Sequence, residues 1–266
     1  QKTIVTEYFR VTQGILEKEY QLSQLYADPA VTDKETATQP IRDELEELYA
    51  RQKQIAPLAE AILQEQVSQV LAEINLTAGG QPVPNVWYHS TPLPMALIVS
   101  PRARIEHTAN ISVNTDLTGN ERVELEEDVA QGLNVSSLVV QIGGVGVYPT
   151  MVTETTDLRW TLSTIAHEWV HNYLNVRPLG LNYSTTPELR TMNETTANIV
   201  GDEVGILVQQ NHYPELLASF PSRNLFQLNM SFLPSDGLED PPPFDFRAEM
   251  HETRVTADEL LGQGKI

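Results

Sequence analysis

The chain has no cysteine among its 266 residues, which excludes disulfides, thiolate metal sites and cysteine nucleophiles. No apolar run approaches the eighteen or more residues that read as a membrane span. Basic residues are scarce: 17 Lys and Arg stand against 36 Asp and Glu, a formal charge of −19. A surface that acidic repels nucleic-acid phosphates, so no nucleic-acid partner is expected. There is no internal repeat and no long low-complexity tract. The first residue is Gln1 rather than Met, which a processed signal, a lost membrane anchor or an arbitrary boundary would each explain. From that start and the missing cysteine, the expectation is an extracytoplasmic or membrane-anchored protein.

What is present suits one large domain, or a main domain with a smaller appendage. Hydrophobic residues make up 41 % of the chain, enough to bury a core. Residues 1 to about 76 read as helical, with Ile41, Leu45, Leu48, Ile55, Leu58, Ile62, Val70 and Ile74 at three- and four-residue steps or their multiples. Asp28-Pro29 and the polar residues up to Pro40 separate a first helix from a second, and Pro57 is expected to kink or divide the second. The pair predicts a helical hairpin over 1–78 that packs as scaffold on the rest, with a partner-binding arm as the alternative. Gly79 to Pro94 is rich in Pro and Gly and reads as a loop. The pattern then turns to period two: an apolar strand over Ala96–Val99, an alternating one over Arg104–Val113, and another from Ser137 towards Tyr148 that runs into Gly143-Gly144-Val145-Gly146. Glycines at such a place mark a close approach of backbone to something else. The acidic stretch Glu121 to Gly132 reads as a short helix. Six N-x-S/T triplets begin at Asn75, Asn110, Asn134, Asn182, Asn193 and Asn229. They are read as accidents of a Ser/Thr-rich chain, because one lies beside the site argued next, where a glycan would not fit.

A helix predicted from about Asp157 to Leu174 carries His167-Glu168-Trp169-Val170-His171. Histidines four apart project from one helix face. This is His-Glu-x-x-His, two metal ligands with a general base between them. At this composition chance supplies about 0.02 such matches per chain. Zinc held by few protein ligands keeps a position open for water and lowers that water's pKa towards about 7, and Glu168 would accept the proton and pass it on.

Such a zinc ion needs a third protein ligand. Val176 to Gly180 stops the first helix, and a second starts near Thr186 or Pro187. On it Glu194 lies 23 positions after His171, far enough for the chain to return antiparallel. Ala197 is small and permits close approach of the two helices. Asn198, four residues on, shares the face of Glu194 and is expected to accept a hydrogen bond from the far nitrogen of a ligand histidine; Asp202 is placed to do the same from further away.

At these residues the chain resembles the gluzincin metallopeptidases, the superfamily of thermolysin and the zinc aminopeptidases. The resemblance covers about residues 137 to 205 and rests on His167-Glu168-Trp169-Val170-His171 and Asn193-Glu194-Thr195-Thr196-Ala197. It implies an α+β fold, a zincin-like domain over 79–266 with a small mixed sheet and two metal-bearing helices behind the N-terminal hairpin. It implies a peptidase acting on peptide or protein substrates, with one zinc ion on His167, His171 and Glu194, and Glu168 as base. It also implies that an edge strand, here Gln141 to Tyr148, aligns substrate backbone by strand addition. Two departures stand out. Thermolysin-like enzymes often carry Asp where this chain has Asn198. The Gly-x-Met-Glu-Asn segment of many aminopeptidases is missing, so aminopeptidase specificity is not expected. The metzincin pattern needs another His soon after His171, and none follows before His212.

The donor to the developing oxyanion has no diagnostic motif. Tyr148 and Tyr183 are the nearest candidates in sequence; His212-Tyr213 and His251 with Arg254 are others, and His89 and His107 read as structural. In the tail, Phe220 to Pro243 reads as a Pro-rich loop bordering a cleft and Phe244 to Leu261 as a helix. The alternatives to a peptidase are a zincin fold that has lost catalysis and binds a partner, against which an intact Glu168 argues, and a zinc hydrolase of non-peptide substrates.

Overall fold

The computed structural model describes residues 1–115, 117–217 and 246–265. The chain is α+β and mostly helical. In order it forms α1 (Lys2–Ala27), α2 (Lys34–Glu73), β1 (Tyr88–Ser90), β2 (Met95–Pro101), β3 (Ala109–Val113), α3 (Gly119–Leu133), β4 (Val135–Gln141), β5 (Gly144–Val145), β6 (Thr150–Val152), α4 (Leu158–Leu174), α5 (Pro178–Leu181), α6 (Pro187–His212), α7 (Pro214–Leu217) and α8 (Phe246–Gly262). The chain falls into two compact units. One joins Gln1–Leu93 to Ile142–Leu217; the other holds Pro94–Gln141 with the described C-terminal residues. The expected Pro-rich loop Phe220 to Pro243 lies outside the described residues.

In the first unit, α1 and α2 make the hairpin. Asp33 caps α2 by accepting from the Thr36 amide, an interaction worth about 1 kcal/mol. The second helix is therefore six residues longer at its start than the break before Pro40 suggested, and Pro57 does not divide it. The carbonyl that Pro57 leaves unpaired belongs to Lys53, and both residues are exposed, so water can take the lost backbone bond. Val11, Ile15, Leu45, Ile55 and Ala59 form one apolar cluster between the helices. Leu58, expected on the buried stripe, faces solvent at 54 % exposure. Further along, α2 turns Ile62, Leu63, Val67, Val70 and Leu71 into the main core, where they meet Leu162, Ile165, Trp169 and Val170 of α4 and Val204 and Val208 of α6.

Among the described residues the strands form two three-stranded sheets rather than one. In the first unit β6 is central: β1 runs parallel to it, and β5 antiparallel with Gly144 opposite Val152 and Val145 opposite Met151. In the second unit β2 is central and antiparallel to both β3 and β4. The strand expected from Arg104 begins only at Ala109, and Ile105 and Ile111 are exposed. Alternation there does not coincide with a buried face. The strand expected from Ser137 to Tyr148 is two elements, β4 and β5, in different sheets. No helix among the described residues is long and apolar enough to cross a membrane.

α4 is the central helix of its unit. Asp157 caps it through the Trp160 amide at 3.0 Å. Trp169 anchors it to the preceding loop by donating its indole N–H to the Pro84 carbonyl at 2.7 Å. α6 begins with Pro187 at its first turn and Thr186 as cap. Asn193, Ala197, Gly201 and Gly205 recur every four residues along it, and the two glycines let α4 come close. A Cβ added at Gly201 would sit 2.7 Å from the Ser163 carbonyl oxygen and 3.1 Å from the His167 Cβ; at Gly205 it would sit 2.3 Å from the Ser163 hydroxyl.

Candidate metal centre

The close approach of α4 and α6 brings three side chains to one point. His167 and His171, one turn apart on α4, place their Nε2 atoms 3.0 Å from each other. The Oε2 atom of Glu194, from α6, lies 3.5 Å from both. These separations match the ligand–ligand edges, about 3.3–3.4 Å, of a tetrahedral site with metal–ligand distances of about 2.0–2.1 Å. A point about 2 Å from all three atoms exists just off their plane. Two imidazole nitrogens and a carboxylate oxygen this close repel one another unless a proton or a cation lies among them. The donor set, two nitrogens and one oxygen, suits zinc and leaves a fourth position open.

The second nitrogen of His171 decides whether its Nε2 can ligate. Nδ1–H donates to the Oδ1 of Asn193 at 2.9 Å. That bond fixes the tautomer with the Nε2 lone pair directed at the site. Asn193 is 1 % exposed, and its amide nitrogen donates to the Leu179 carbonyl at 3.3 Å, which settles which way the side chain points. Asn193 thus fills the role that the sequence reading gave to Asn198. Asn198 is exposed; the face towards α4 follows the row Asn193, Ala197, Gly201. Asp202, next to Gly201, is likewise exposed. Asn193 is legible in the sequence as the residue four before Ala197, inside the same Asn-Glu-x-x-Ala segment.

Tyr183, from the segment between α5 and α6, donates its hydroxyl to Oε1 of Glu194 at 2.5 Å. Its ring stands edge-on to that of His171, 6.1 Å between centroids. One carboxylate oxygen of Glu194 is therefore engaged and the other faces the histidines. Burial, with Glu194 beside it, pushes the Tyr183 phenol up to about 12, so it remains a proton donor at neutral pH. The two histidines that face it hold the Glu194 carboxyl well below the usual carboxylate range, against the opposing effect of burial. For His171 burial alone would lower the pKa, but the hydrogen bond and charge of Glu194, with Glu168 behind, outweigh it and raise it.

Glu168 is 7 % exposed and its carboxylate lies with the two imidazoles in one cluster of potential ligand atoms. Burial is the largest influence on it and raises its pKa, while the neighbouring histidines pull the other way. The glycine segment explains how a carboxylate can be buried here. A Cβ at Gly144 would lie 2.5 Å from Glu168 Oε1, and one at Gly146 would lie 3.3 Å from Oε2 and 3.1 Å from the His171 Cβ. The close approach read from the glycines is thus an approach to Glu168 itself. β5 is an edge of its sheet among the described residues.

The remaining candidates go elsewhere. Tyr148 does not join Tyr183 at Glu194; it stacks on Trp87 at 5.6 Å between centroids. Tyr213 is fully buried and donates to Gln66 Oε1 at 2.9 Å, with His212 beside it. His89 places Nδ1 2.9 Å from Glu60. His107 and the helix bearing His251 and Arg254 belong to the second unit, where Arg254 pairs with Asp258 at 2.8 Å.

No protein-family model, no curated protein and no solved structure matches the chain.

Proposed function

We propose that this protein is a zinc-dependent peptidase of gluzincin type, with His167, His171 and Glu194 as ligands and Glu168 as general base. The observation that carries the reading is the convergence of two Nε2 atoms and a carboxylate oxygen at 3.0–3.5 Å beside a buried glutamate. When bound, zinc supplies Lewis acidity towards a carbonyl and lowers the pKa of a coordinated water towards about 7. The chain's own residues do the rest. Asn193 holds His171 in the ligating tautomer. By donating its hydroxyl to Oε1 of Glu194, Tyr183 keeps the other carboxylate oxygen presented to the histidines. Glu168 takes a proton from the attacking water and returns it to the leaving amine. Its burial under Gly144 and Gly146 excludes bulk water from that transfer. The edge of β5, beside Glu168, offers unpaired backbone groups for an extended peptide.

The test is metal analysis joined to one substitution. Protein purified under metal-replete conditions carries about one zinc per chain and cleaves a peptide mixture. Glu168→Gln keeps the zinc and loses turnover by at least about a hundredfold, the usual scale of general-base catalysis. A metal-free wild type would sink the zinc site. Full zinc with no peptide cleavage, but with hydrolysis of other esters or amides, would leave a zinc hydrolase that is not a peptidase.

A further inference from the structure

Two exposed aromatic rings lie next to the metal centre and have no role in it. Trp87 precedes β1 and Tyr148 precedes β6; the two strands run parallel with Tyr88 opposite Thr150, and the Thr150 amide donates to the Trp87 carbonyl at 2.9 Å. This register sets the two rings side by side, 5.6 Å between centroids and 15° from parallel. Trp87 is 53 % and Tyr148 47 % exposed, and Val147 between Tyr148 and the glycines is 46 % exposed. Apolar area of this kind is costly to leave in water and binds apolar groups.

The platform is fixed to the helix that bears the histidines. Asn172, next to His171, donates its side-chain N–H to the Val147 carbonyl at 3.1 Å and to the Thr150 hydroxyl at 3.3 Å. Gly146 packs on His171 and Glu168. On the other side, the bond from Trp169 to the Pro84 carbonyl holds the loop that leads to Trp87. Gly146 and Tyr148 are two residues apart, so their Cα atoms are at most about 7 Å apart. An extended peptide advances about 3.3 Å per residue and covers that distance in two residues.

Charge tells which side chain fits. The chain is 20 % charged, yet Gln81 to Tyr88 and Ile142 to Thr153 contain no charged residue at all. Nothing in those segments neutralises a cation or a carboxylate, and the one charged residue in the groove that Trp87 lines is Glu65 of α2. We propose that Trp87 and Tyr148 form a substrate subsite for an aromatic or large aliphatic side chain, about two residues from the bond that is cleaved. The proposal rests on the peptidase reading above and names the substrate class for that site.

A peptide library varied at the second position on each side of the cleaved bond tests it on the zinc-loaded protein. Wild type prefers Phe, Tyr, Trp or Leu over Gly at one of those positions by about tenfold in kcat/KM, the scale of one apolar subsite, carried in KM. Trp87→Ala brings that ratio close to one, and Trp87→Phe restores most of it. Tyr148→Phe keeps the ring and keeps the preference. The subsite is overturned if the wild type cleaves without such a preference, if it favours Lys or Arg there, or if Trp87→Ala leaves the ratio intact. It is also overturned if Tyr148→Phe lowers kcat a hundredfold, which would return Tyr148 to the chemistry. If zinc-loaded protein cleaves no peptide in the library, the peptidase reading itself fails and the subsite with it.

Discussion

Asn193 carries more of the centre than its place beside a ligand suggests. It accepts from His171 Nδ1–H and is itself oriented by the Leu179 carbonyl, so its removal frees the ring and leaves buried partners unpaired. Asn193→Ala is expected to weaken zinc binding about 10- to 100-fold while the fold is retained; competition with a chelator of known affinity measures it, and an unchanged affinity would refute the role. Protons should act on the same ring. With Glu194 beside it the metal-free His171 titrates above the ordinary value of about 6.5. The stability this contributes to the metal-free protein is therefore present below pH about 6.5 and lost as pH rises through the raised value. Zinc must displace that proton, so its stabilising effect should grow over the same window. Melting curves with and without zinc between about pH 5.5 and 8 should diverge as pH rises; a constant gap would mean that His171 is not a ligand. At this scale His167, Glu168, His171 and Glu194 were all legible, because helix spacing alone sets the first three on one turn. The hydrogen bond expected at Asn198 is made by Asn193, because the face of α6 that meets α4 depends on the helix's rotation, and the row that reveals it runs through Asn193, Ala197, Gly201 and Gly205.

Between elements, glycine marks two approaches with different consequences. Gly201 lies against the backbone of α4, where an added Cβ would stand 2.7 Å from the Ser163 carbonyl oxygen. Backbone cannot step aside, so Gly201→Ala should separate the helices at a cost of about 1–3 kcal/mol and lower the melting temperature by several degrees. At Gly144 an added Cβ would instead meet the Glu168 side chain, 2.5 Å from Oε1 and 2.7 Å from Cγ. Gly144→Ala should displace that carboxylate and reduce turnover with much less effect on melting. Measuring kcat and melting temperature for both variants separates the two; equal thermal losses would contradict the assignment. The glycine run was readable as a close approach, but its partner was not, since sequence gives no distance between β5 and α4. Pro57 misled for a related reason: the cost of a helical proline depends on whether the carbonyl it orphans reaches water, and that of exposed Lys53 does.

Across the molecule, α2 is what ties the hairpin to the candidate metal centre. Its 40 residues span about 60 Å at 1.5 Å per residue, long enough to serve two apolar clusters in turn. Over its first two thirds Leu45, Ile55 and Ala59 pack with Val11 and Ile15 of α1; over the last third Leu63, Val67 and Leu71 enter the core that supports α4 and α6. Val5 of α1 joins that same core and is fully buried. The hairpin therefore supports the helices that carry the proposed ligands, within one compact unit. A charge at Val5 has no partner there and must unfold its surroundings to reach water. Val5→Asp should destabilise by about 3 kcal/mol or more, and the loss should be felt at the zinc site, more than 160 positions away in sequence. Followed together on heating, helix signal and zinc release should shift to lower temperature as one. Zinc release at the wild-type temperature, after an earlier helical transition, would show instead that the hairpin folds apart from the centre.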